Sequence, residues 1–159
     1  MKYVLCTGNL CSRQVLEHLR TIAPNVHVVA GDMDDPALGL PEEKIVEIGA
    51  FRIGLIHGHQ VVPWGDPEAL ANLQRKMDVD ILVTGHTHKS EVLEHEGLYI
   101  VNPGSASGAH SAIQTSVRPT FILMAIRGAR LVTYVYELKG DKVSVLKSEF
   151  LKAGAAASS

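Results

Sequence analysis

A chain of 159 residues with 46% hydrophobic and 20% charged residues is long enough to bury one core and too apolar to be disordered. Its net charge of -2 comes from basic and acidic residues scattered along the chain, which excludes a basic field for nucleic acid and a polybasic patch for membranes. No apolar run approaches the roughly 20 residues of a membrane span, and no secretory leader is visible, so Cys6 and Cys11, which lack zinc spacing, are expected to be reduced cytosolic thiols.

Tyr3-Val4-Leu5-Cys6 is a continuous apolar run, as in a strand buried on both faces, and Thr7 to Leu10 turns the chain. Ser12 can cap a helix with apolar residues Val15, Leu16, Leu19, Ile22 and Ala23, which Pro24 and Asn25 end. Val26 to Ala30 is the next strand, so this strand-helix-strand unit predicts parallel pairing and a right-handed crossover. Lys44–Ile48 and Phe51–Ile56 flank Gly49-Ala50 as a hairpin. Asp66 caps a second helix with Pro67 at its first position and Leu70, Leu73 and Met77 on its apolar stripe. Ile81 to Thr84 returns to the sheet. Glu91–His95 and Tyr99–Asn102 form a second hairpin around Glu96-Gly97, and Pro103 to Pro119 is a long loop rich in Gly, Ser and Ala. Three strands close the chain, Phe121–Ile126, Leu131–Leu138 and Val143–Phe150. Residues 1–152 are expected to form a single domain and 153–159 a low-complexity tail. Parallel βαβ followed by antiparallel hairpins predicts an α/β fold, a two-sheet β-sandwich flanked by helices.

The polar residues at the strand ends suggest a metal site. Gly85-His86-Thr87-His88 follows an apolar strand, and residues two apart in extended chain point to one side, as paired ligands do. His57-Gly58-His59 repeats the arrangement after Ile56. Asn9 and Asp32 end the first two strands, so Asn9, Asp32, His57, His86 and His88 all stand where open α/β sheets place their sites. A hydrogen-bonded structural cluster is the competing reading of the same histidines. Val61-Val62-Pro63-Trp64 is an apolar cluster in the loop beside them. Val62 has no regular element to bury it and reads as a contact residue, whereas Trp64 serves core or contact equally. Tyr134 and Tyr136 share one strand face, and Leu123 and Val145 fall near them. They form an apolar surface patch if accessible and sheet core if not.

Gly8-Asn9, Gly31-Asp32-Met33-Asp34, Ile56-His57-Gly58-His59 and Gly85-His86-Thr87-His88 together resemble the calcineurin-like metallophosphoesterases, and Asn102-Pro103-Gly104-Ser105 resembles a loop of the small members. The resemblance implies an α/β/β/α sandwich with Asn9, Asp32, His57 and His86 at one metal half-site and His88 at the other. It also implies an N-terminal strand and helix, on the order of 30 residues carrying an Asp-x-His motif, ahead of Met1. The departures bear on activity. Asn9 replaces a bridging carboxylate, and Met33 replaces a histidine that protonates a leaving group. These substitutions, with the run from Gly54 to Asp66, resemble the retromer branch of the family. That branch implies a non-catalytic scaffold on cytoplasmic faces of endosomes, requiring no cofactor and binding zinc or manganese weakly at most. Its partners would be a large α-solenoid subunit, met by Val61, Val62, Pro63 and Trp64, and regulatory proteins on Leu123, Tyr134, Tyr136 and Val145. A weak divalent-metal phosphoesterase is the alternative.

Overall fold

The computed structural model describes residues 2–8, 13–87, 90–95, 98–104 and 119–152. Among the described residues, ten strands and two α-helices follow in an order close to the sequence expectation. β1 (Tyr3–Cys6), α1 (Arg13–Ile22) and β2 (Asn25–Val28) form the parallel βαβ unit, with Tyr3 opposite Asn25 and Cys6 opposite Val28. β3 (Glu43–Ile48) and β4 (Phe51–Ile56) make the first hairpin. α2 (Pro67–Met77) then crosses to β5 (Ile81–Thr84), which pairs parallel with β4. The Asp66 side chain accepts from the Ala69 amide at 3.0 Å, so the predicted cap starts α2. β6 (Glu91–His95) and β7 (Leu98–Asn102) make the second hairpin. β8 (Thr120–Arg127), β9 (Arg130–Lys139) and β10 (Lys142–Leu151) form an antiparallel meander.

The strands make a five-stranded sheet in the order β3-β4-β5-β7-β6, with the β10-β9-β8 meander and the β1-β2 pair opposite it. Parallel strands β4, β5 and β7 sit centrally and are largely buried on both faces, as their mostly apolar sequences require, with Arg52 and Leu98 half-buried. One face carries Phe51, Ile53, Leu55, Ile81, Val83, Tyr99 and Val101 against Val29 and Leu131, with Leu5, Ile122, Met124, Ile126 and Phe150 closing the layer. The other face packs Ile56, Leu82 and Ile100 on Leu70, Leu73 and Met77 of α2. Gln74 of α2 is fully buried and donates from Nε2 to Asp80 O at 3.0 Å and Tyr99 O at 3.1 Å, fastening the helix to the sheet. The two sheets are also clasped at one end. Tyr99 Oη donates to Leu151 O at 2.6 Å, and Lys152 Nζ reaches Ala50 O and lies 3.4 Å from Asp80 Oδ2.

Two expectations are corrected. β1 is not buried on both faces, since Tyr3 is exposed and Val4 to Cys6 are half-buried. The stripe on α1 is only partly covered: Leu16 and Ala23 are buried, but Val15 and Ile22 are 41% and 45% exposed. The physical reason is shared. Among the described residues β1 pairs with β2 alone, and α1 packs chiefly against β2, a support that covers less than its apolar face. The predicted cap Ser12, the turn at Glu96-Gly97, most of the loop after Pro103 and the tail 153–159 lie outside the described residues.

Candidate metal centre

The carboxyl ends of β1, β2, β4 and β5 converge, and the backbone there is shaped by glycine. Gly8 follows β1 at φ 109°, and a Cβ on it would sit 2.5 Å from Gly31 N. Gly58 follows His57 at φ 111°, and a Cβ there would sit 2.5 Å from Thr84 Oγ1. These contacts let the turns after β1 and β4 lie directly against their neighbours. His86 itself has φ 61°, and the Thr87 amide donates back to Gly85 O at 2.7 Å. His86 is therefore the centre of a tight i to i+2 turn. This conformation costs a non-glycine residue on the order of 1 kcal/mol, and such strain concentrates at functional sites.

Ligand atoms of Asp32, His57 and His86 lie within 4.8 Å of one another, near enough for small side-chain rotations to bring all three onto one ion. Asp32 is exposed, His86 half-buried and His57 buried. His57 Nδ1 stands 3.9 Å from Asp32 Oδ1 and 3.0 Å from Nδ1 of His59. Burial pulls the His57 imidazolium down to about 4; Asp32 opposes this, while His86 and His59 act with it. His57 is thus neutral at pH 7, the form that ligates. One carboxylate and two imidazoles are donor types that suit zinc, so the residues present fit a divalent cation.

The predicted ligands Asp32, His57 and His86 thus come together, while Asn9 and His88 lie outside the described residues. Met33 is 71% exposed. Val62 is 76% exposed, Pro63 is exposed, Trp64 is partly exposed, and Val61 is half-buried against the α2 cluster. Trp64 has a structural role as well as a surface: its Nε1 donates to His59 O at 3.1 Å, and its ring meets His86 edge-on at 4.3 Å between centroids. On the meander, register places Leu123 opposite Tyr134 and Tyr136 opposite Val145, so the four share the outer face. Leu123 and Val145 are exposed and the tyrosines half-buried. Sequence reasoning assigned no role to two residues. Phe121 is opposite Tyr136 and stacks on it at 4.8 Å, a position its alternation with Leu123 signals. His59, which the sequence sets two residues after His57 without assigning it a role, lies 3.0 Å from it, Nδ1 to Nδ1.

The model of the calcineurin-like phosphoesterase superfamily domain matches residues 1–128. The chain is 41% identical over 153 residues to vacuolar protein sorting-associated protein 29 of Schizosaccharomyces pombe, covering 94% of this chain and 81% of the relative. A zinc complex of the Entamoeba histolytica vacuolar protein sorting 29 protein superposes with TM-score 0.91 at 51% identity, over 94% of this chain and 83% of that one. The Cryptosporidium parvum protein does so with TM-score 0.91 at 49% identity, over 96% and 83%. Fold, converging strand ends and these likenesses agree: the chain belongs to the vacuolar protein sorting 29 family within the calcineurin-like phosphoesterase superfamily.

Proposed function

We propose that this chain is a non-catalytic scaffold, the small subunit of the retromer endosomal sorting complex. It docks a large α-solenoid subunit through the face around the metal centre, and it offers the outer face of β8, β9 and β10 to regulatory proteins. In the cell it is cytoplasmic and reaches endosomes through the complex. The observation that carries the reading is Val62, 76% exposed on the rim of the centre beside a partly exposed tryptophan. Apolar anchors that gain their energy by losing water on contact are the usual centre of an interface. The polar residues Asp32, His57 and His86 lie next to that anchor. By family correspondence Asn9 completes this half-site and His88 belongs to the other, and with Asn9 in place of a carboxylate the site binds zinc or manganese weakly.

The test is Val62→Asp. A carboxylate in the dry centre of the interface would lower solenoid affinity roughly hundredfold or more, while melting of the free protein stays within about 0.5 kcal/mol of wild type. Unimpaired pulldown of the solenoid subunit, or a large drop in melting temperature, would remove Val62 as an anchor.

The Asp32, His57 and His86 cluster also favours a second reading, a weak divalent-metal phosphoesterase. Against it, Met33 supplies no proton to a leaving group. Manganese-dependent turnover of phosphomonoesters or phosphodiesters that disappears in His86→Ala would establish the enzyme. The scaffold reading expects no such turnover.

A further inference from the structure

His59 lies outside the group of mutually close ligand atoms, yet it touches the most buried member. Its Nδ1 is 3.0 Å from His57 Nδ1, a hydrogen-bond distance. The same His57 nitrogen faces Asp32 Oδ1 at 3.9 Å, so it is the nitrogen directed at the carboxylate a cation would share. A neutral imidazole nitrogen carries either a proton or a lone pair in the ring plane. If His57 Nδ1 holds the proton, it donates to His59 and has no lone pair for a metal. If His59 Nδ1 holds it, the His57 lone pair is already occupied in accepting. Both tautomers engage the nitrogen, so a cation reaches it only after the contact with His59 breaks.

His59 is also held in position. Its carbonyl accepts from Trp64 Nε1, and the turn at the preceding Gly58 lies so near β5 that a Cβ there would sit 2.5 Å from Thr84 Oγ1. We infer that His59 is a built-in competitor for the metal position on His57, which sets divalent-cation affinity below what Asp32, His57 and His86 would give alone. This rests on the reading that those three residues hold the cation. It assigns His59 the opposite sign from a ligand: removing it strengthens binding.

The chain has one tryptophan, Trp64, and it touches both His59 and His86, so its fluorescence reports directly on the site. Zinc titrations of wild type, His59→Ala and His59→Leu, read by calorimetry and by Trp64 emission, test the inference. Both variants are expected to bind zinc about 2- to 12-fold more tightly, the factor that one net hydrogen bond represents. The leucine variant retains bulk, so agreement between the two excludes an effect of lost packing, and melting curves verify the fold. Weaker binding would make His59 a ligand, and unchanged binding would mean that the cation uses another nitrogen; either overturns the inference. His57→Ala separates this failure from failure of the site. Zinc binding undiminished by His57→Ala removes the metal site itself. Binding lost in His57→Ala but not gained in the His59 variants removes only the competitor.

Discussion

Val62 and Phe121 are 76% and 53% exposed, and each leads an apolar surface, but the two surfaces are held by different means. Phe121 sits on a meander in which every residue from Lys142 to Leu151 has a register partner on β9. Its ring lies nearly parallel to that of Tyr136, at 6°. Exposure there is spread over several side chains, and strand alternation dictates it. The Val62 loop has no ladder. It is fixed by the Val61 amide on Gly58 O at 3.2 Å, the Asp66 amide on Pro63 O at 3.2 Å, and Trp64 on His59. Its shape is therefore tied to the histidine cluster beside it, whereas the outer face of the meander is set by strand register and by the packing of its inner side on the central sheet.

The largest effect that sharpens this contrast lies under the sheet face. Leu131 is fully buried on the inner side of β9. Leu131→Ala is expected to cost about 2–5 kcal/mol in denaturant unfolding, whereas Leu123→Ala on the outer face costs about 0.5 kcal/mol. Equal costs would mean that the outer face is packed as core.

The next effect belongs to the histidine cluster. His57 titrates near 4 in the folded chain against 6.5 when free, so between those values the unfolded state binds more protons. Stability conferred by the neutral, buried ring is therefore fully present above about pH 6.5 and is lost as pH falls toward 4. The loss amounts to roughly 3 kcal/mol. Urea melts from pH 7 to 4 in the presence of chelator measure it, and His57→Gln should flatten that slope. An unchanged slope would show that His57 is not the group responsible.

A third test exchanges the two surfaces. On the proposed scaffold reading, Val62→Asp is expected to weaken binding of a solenoid subunit roughly hundredfold and leave binding at the meander intact, while Tyr136→Asp does the reverse. Loss of both partners in either variant would merge the two surfaces into one. The smallest effect is the ring pair on the meander. A double-mutant cycle on Phe121 and Tyr136, measured by unfolding, should give a coupling of about 0.5–1.5 kcal/mol, and a value near zero would make the stacking incidental.

Much of the fold was legible because its signals are local. The Asp66-Pro67 start of α2, the turn at Gly49-Ala50 and the alternation along β8 to β10 each depend on neighbours in sequence. The exposure of Val15 and Ile22 was not legible, because periodicity gives the direction of an apolar stripe but not the width of the layer that covers it. The convergence of Asp32, His57 and His86 could be read from their shared place at strand ends. The contact between His57 and His59 could not, since it depends on how closely Gly58 lets the turn approach β5. Trp64 presents both alternatives at once, with a partly exposed ring whose nitrogen is tied to the backbone of the site.

The clasp at the end of β10 has a consequence for the order in which the chain folds. Lys152 and Ala50 are separated by 102 positions, and Leu151 and Tyr99 by 52. The meander and the β3-β4 and β6-β7 hairpins close through neighbours, so each can form without the others. Docking one sheet on the other needs the long closures and must come later. In pulse-labelled hydrogen exchange, backbone amides within the hairpins should gain protection before the Lys152 amide, which is bonded to Ala129 O at the mouth of the clasp. A chain cut after Phe150 would keep almost every ladder and the apolar core between the sheets, and would lose only the closures made by Leu151 and Lys152, a cost of the order of a few hydrogen bonds.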